Sequence, residues 1–120
     1  MKATELMVGD WVLDGKKPAQ ITGIMCDDLL ETTLSPSVGG ECISPIPLTD
    51  EIMKKNGFSL QSDNTEFFKL DTYCFGNEGC EFLIHRLNNE DYQFGPAKIR
   101  NVHELQHAMR LCGIEKEVEL

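Results

Sequence analysis

The stretch Leu6-Met7-Val8-Gly9-Asp10-Trp11-Val12-Leu13-Asp14-Gly15 begins apolar, breaks at Gly9-Asp10 and breaks again at Asp14-Gly15. Both breaks are turn signals, because Gly accepts positive φ and Asp bonds to nearby backbone. Gly9-Asp10 therefore bends the chain into a strand over Trp11–Leu13, and Asp14-Gly15 turns it again. Pro18 marks an edge or a strand start. Residues 19–25 and 29–34 read as a second and a third strand, the latter favoured by β-branched Thr32 and Thr33. Ser35–Gly40 reads as a loop and Glu41–Ile43 as a short fourth strand. Short strands with tight turns predict a small, strongly bent N-terminal β-sheet.

Working outward, Ser44-Pro45-Ile46-Pro47-Leu48 is too rich in proline for central sheet. A short helix follows. Thr49 is its N-cap, Asp50 and Glu51 suit the positive end of its dipole, and Lys54 and Lys55 suit the negative end. Gly57 stands where a left-handed residue ends a helix. Ile52, Met53 and Phe58 supply its packing face.

Residues 58–60, 66–70 and 73–75 read as strands, with Gly76–Gly79 as a turn. Cys80–Leu87 is the strongest strand. Phe82 and Ile84 fall on one side of it and Leu83 and His85 on the other. It forms a hairpin with residues 91–94, Gly95-Pro96 breaks the alternation, and a strand at 98–100 follows.

The C-terminal helix carries the clearest local signals. Asn101 and Glu104 form a capping box, and Val102, Leu105, Met109 and Cys112 recur at helical spacing. Gly113 ends the helix and Ile114 makes the closing apolar contact. The tail 115–120 alternates charged and apolar residues, as a short strand or a loose end. The fold class is α+β: a bent N-terminal sheet, a short helix, antiparallel hairpins and a C-terminal helix. The chain reads as a single domain, 1–120, with a β lobe at 1–47 and an α/β lobe at 48–120.

Eleven basic residues stand against twenty acidic ones, a net charge of −9. That field repels phosphate backbones, and no basic stripe offsets it, so nucleic acid is a disfavoured partner. Glu5 and Asp10 interrupt any leader-like apolar run, and no stretch reaches the roughly 20 apolar residues of a bilayer span. The expected setting is cytoplasmic, without membrane association. The five cysteines contain no C-x-x-C pair, which implies reduced thiols acting mainly as small core residues. A zinc set from Cys74, Cys80 and His85 has loose spacing.

His103-Glu104-Leu105-Gln106-His107 matches H-E-x-x-H. In zinc hydrolases two histidines one helical turn apart ligate the metal, and the glutamate acts as base on the bound water. The rest of such a site is poorly supplied: Glu115, Glu117 and Glu119 are possible carboxylates but follow the helix end closely, and His85 is the only other histidine. A catalytic zinc needs a third protein ligand, and no histidine follows His107. Arg110 and Gly113 occupy the positions where the extended zinc-peptidase motif requires glycine and histidine. With Val102 at zero on a helical wheel, His103 falls near about 100°, His107 near about 140° and Arg110 near about 80°. This places them on a shared polar face, with Arg110 disfavouring a cation. The metal-ligand candidates are thus His103, Glu104 and His107. His103, His107, Arg110 and Trp11 are the interface candidates. No residue is assigned a catalytic role, and no cofactor is implied.

Three stretches, 5–12, 45–58 and 102–113, together resemble a family of small uncharacterised proteins from Bacteroides-type gut bacteria and their phages or mobile elements. The residue equivalent to Glu104 is often Gln among them, which implies that the zinc pattern is accidental. The opening stretch also resembles that of SH3-like small barrels. The expected function is that of a non-enzymatic accessory protein of a mobile element, with a protein as its partner. A zinc hydrolase on His103, Glu104 and His107, and a nucleic-acid accessory module using the N-terminal β unit, are the alternatives.

Overall fold

The computed structural model describes residues 1, 5–25, 29–61, 64–74, 77–87, 91–114 and 116–120. The chain is α+β, with two antiparallel five-stranded sheets and two helices. It divides into two compact units, Met1–Ile46 with Asn101–His103, and Pro47–Arg100 with Glu104–Leu120.

The first unit holds β1 (Trp11–Asp14), β2 (Lys17–Ile24), β3 (Leu29–Thr32), β4 (Val38–Gly39) and β5 (Ile43–Pro45). Asp10 is fully buried at the Gly9-Asp10 bend, where its carboxylate accepts the Met7 N–H at 2.7 Å. Gly9 and Asp10 then pair with Ile21 through two backbone bonds of 2.7 and 2.9 Å. Gly15 follows β1 with φ +67° in open space, so its backbone conformation rather than crowding calls for glycine.

The strand order is β4-β3-β2-β1-β5, which puts β4 and β5 at opposite edges. Only a 3₁₀ turn, Gly40–Cys42, joins them. Four residue steps reach at most about 14 Å, whereas the edges of a flat five-stranded sheet lie about 19 Å apart. The sheet must therefore curl. β2 provides the corner. Residues 17–20 pair with β1, residues 21–24 pair with β3, and the register shifts between Ile21 and Gly23. Leu6, Val12, Ile21, Leu30 and Ile43 fill the interior. Thr32 Oγ1 donates to Asp14 at 2.7 Å and accepts the Leu34 and Ser35 N–H groups. Of the expected fourth strand at 41–43, Glu41 and Cys42 lie in this turn and Ile43 opens β5. A run of six residues read as a loop (35–40) contains β4, because pairing with β3 outweighs weak local propensity.

The second unit holds α1 (Asp50–Lys55), β6 (Ser59–Gln61), β7 (Asn64–Cys74), β8 (Asn77–Arg86), β9 (Tyr92–Phe94) and β10 (Ala97–Ile99). The sheet runs in sequence order as a meander. Thr49 caps α1, accepting the Ile52 N–H at 3.2 Å. The other end is closed by Gly57 N–H to Lys54 and Phe58 N–H to Met53, both 3.1 Å, with Gly57 at φ +89°. Met53 and Phe58 are buried as expected, while Ile52 is only half-buried.

The expected hairpin of residues 80–87 with 91–94 is present as antiparallel β8–β9, and the longer pairing is β7–β8. His85 and Arg86 of β8 pair with Gln93 and Tyr92 of β9, and the Leu87 N–H donates to the Asp91 carbonyl at 2.9 Å. Asn77–Gly79, read as turn, belongs to β8, and Gly95-Pro96 is a two-residue hairpin turn between Phe94 and Ala97.

The helix α2 (Val102–Leu111) ends with Gly113 N–H to Arg110 at 3.0 Å and Ile114 N–H to Met109 at 2.9 Å. Glu104 Oε1 accepts the N–H of Arg100 at 3.2 Å, so the carboxylate reaches one residue upstream of the expected cap. The described tail, residues 116–120, is neither a strand nor loose. It has no regular structure, yet Val118 is buried and Asn56 holds the backbone of Glu119.

Candidate functional site

Along β7, β8 and β9 the side chains alternate between faces. Phe68, Leu70, Phe82, Ile84 and Tyr92 are buried on one face. Phe67, Lys69, Leu83, His85 and Gln93 occupy the other, half-buried or exposed. Phe67 stands directly opposite His85, and His85 opposite Gln93, so the three form one row across three strands. The Phe67 and His85 rings stack, with centroids 4.7 Å apart and planes 15° from parallel. Beside them lies an open cavity of about 390 Å³ lined by Phe67, Leu83, His85, Gln93 and Gly95.

This groove combines an aromatic pair and an aliphatic side chain with the polar ends of His85 and Gln93. Two further registers add cations at its borders: Lys69 opposite Leu83, and Lys98 opposite Gln93. Such a surface can hold an apolar side chain while bonding to a polar backbone or amide.

The core face of the same strands carries an electrostatic cluster. Arg86 meets Asp50 at 3.0 Å, and the Tyr92 hydroxyl donates to Asp50 Oδ1 at 2.5 Å. Burial alone raises the pKa of Asp50. The hydrogen bonds from Tyr92 and Arg86, with the charges of Arg86 and Lys54, outweigh it and hold the carboxyl below its ordinary value. For Tyr92, burial and then the Asp50 carboxylate push the phenol upward. The cluster ties α1 to β8 and β9, and so fixes the sheet that displays the groove.

The H-E-x-x-H residues do not form one exposed face. His103 is 6% exposed and Gln106 is also buried, while Glu104, His107 and Arg110 are half-buried. Val102, His103, Leu105, Gln106, Ala108 and Met109 are all buried, an arc of about 220° on the helical wheel. The expectation of a shared surface for His103, His107 and Arg110 assumed a narrower stripe, and His103 lies at its margin. Its Nδ1 atom is enclosed without a hydrogen-bond partner, although the residue is engaged through other interactions. Among the described residues no group of three His, Cys, Asp or Glu side chains could hold a metal ion. Trp11 is half-buried at the start of β1.

Cys112 is buried, which raises its thiol pKa, whereas Cys42 is exposed and departs from the core role expected of the cysteines. Cys26 and the side chains of Cys74 and Cys80 lie outside the described residues. Sequence reasoning placed Leu83 and His85 off the core face. It missed Phe67, Gln93 and Gly95 as their neighbours, because only the strand register brings them together.

No family model, curated protein or solved structure matches the chain. No described helix is long and apolar enough to cross a membrane.

Proposed function

We propose that this is a non-enzymatic accessory protein that binds another protein through the open face of its second sheet. The stacked Phe67–His85 pair beside the 390 Å³ groove is the observation that carries this reading. Aromatic side chains held by a rigid sheet make favourable anchors, since little side-chain freedom is lost on binding. The mobile-element setting rests on the sequence resemblance.

The zinc-hydrolase alternative gains no support from the helix. His103 is enclosed, and the Glu104 carboxylate is engaged by the Arg100 N–H. For the first unit we infer an SH3-like small barrel. Its support is the β4-β3-β2-β1-β5 order, the 3₁₀ link between the edge strands and the shared strand β2.

The test is affinity capture from host extract with the wild-type chain and with Phe67→Ala and His85→Ala. A partner retained by the wild type and lost from both folded variants supports the reading. A partner set unaffected by both substitutions, or no partner at all, defeats it.

A further inference from the structure

Asn56, the residue that caps α1, is 2% exposed and spends its amide on the tail. Its nitrogen donates to the carbonyl of Glu119 at 2.7 Å and to that of Ile52 at 2.8 Å. Its oxygen accepts the Glu119 N–H at 2.7 Å. One side chain thus takes both main-chain groups of Glu119, as a neighbouring strand would. Main-chain recognition of this kind is indifferent to the side chain at that position, and Glu119 is exposed. Val118 is 4% exposed and is the apolar anchor. Lys55 Nζ donates to the Leu120 carbonyl. Charge agrees: Glu117 and Glu119 come from the tail, and Lys54 and Lys55 from the helix end that receives it.

We propose that Asn56 and the surroundings that bury Val118 form a binding site for an extended segment, and that residues 116–120 of a second copy of this chain can fill it in exchange. The site reads one backbone residue and one aliphatic side chain. The segment has no helix or strand to be broken before it leaves. Reciprocal exchange restores every contact of residues 116–120, so chain concentration sets the balance between cis and swapped forms. An emptied site would leave a buried amide unsatisfied, which favours refilling.

Two full-length variants test this. Asn56→Ala spoils the site and keeps the tail, and Val118→Asp spoils the tail and keeps the site. Each is refolded alone and then together at millimolar concentration, with native mass spectrometry as the readout. The expected result is a heterodimer at least about tenfold more abundant than the dimer of either variant alone. In parallel, the wild type refolded at the same concentration gives a dimer that Asn56→Ala does not. The wild-type comparison decides the matter even if Val118→Asp does not fold by itself. Monomers throughout, or dimers equally abundant in Asn56→Ala, overturn the proposal.

Discussion

Tyr92 has no exposed surface, and its hydroxyl lies 2.5 Å from Oδ1 of Asp50, the first residue of α1. The bond joins a strand of the second sheet to the helix that packs in the same unit. Tyr92→Phe keeps the ring and removes this bond, leaving Asp50 with Arg86. Hydrogen bonds to a charged acceptor contribute about 1.5–3 kcal/mol, and the part-exposed Asp50 lowers the expected loss to about 1–2 kcal/mol. Urea unfolding at neutral pH measures it, and a loss below about 0.3 kcal/mol contradicts the assignment. The raised phenol pKa adds a second signature. The contribution of Tyr92 is complete below its ordinary value of 10.0 and declines as pH rises beyond it.

Asp50 gives an acid-side dependence of opposite sense. Its folded pKa lies below the ordinary 3.8, so its stabilising contribution is present above that pH. It is lost as pH falls through the folded value. The stability gap between wild type and Asp50→Asn should narrow steadily below pH 3.8. A gap constant from neutral pH into this acid range excludes the linkage.

Gly57 separates conformation from space. A Cβ there would meet only Leu70 Cδ1 at 3.5 Å, an ordinary contact, but φ is +89°. Gly57→Ala should therefore cost about 1–2 kcal/mol through the left-handed backbone alone. Gly57→Asn should cost less, since Asn tolerates this region better. Equal losses for Ala and Asn would point to crowding instead.

The groove pair invites a double-mutant cycle. Phe67→Leu and His85→Gln, singly and together, should reveal a coupling of about 0.5–1.5 kcal/mol beyond additivity. Chemical unfolding of the four proteins supplies the numbers. Strict additivity means that the stacked rings contribute no specific interaction.

Much of the local structure was legible in the sequence because its causes are local. Thr49, Gly57 and Gly113 mark helix ends through bonds that span only a few residues. Gly9-Asp10 and Asp14-Gly15 bend the chain through their own backbone and side chains. The split of Leu83 and His85 from Phe82 and Ile84 follows from strand alternation alone. The misreadings have non-local causes. β4 forms from Val38–Gly39 because β3 is there to pair with it. His103 is buried because the covered arc of α2 is wider than its apolar stripe.

What the amino-acid order determined by itself is the α+β class, the ends of both helices and the faces of the strongest strand, since each depends on contacts a few residues apart. Tertiary structure alone decided that Phe67 stacks on His85, that Asn56 grips Glu119 and that β5 returns beside β1. Those partners are 18, 63 and about 30 residues apart. No local pattern encodes such pairings, because they are selected by the shared burial and hydrogen-bond satisfaction of the folded chain.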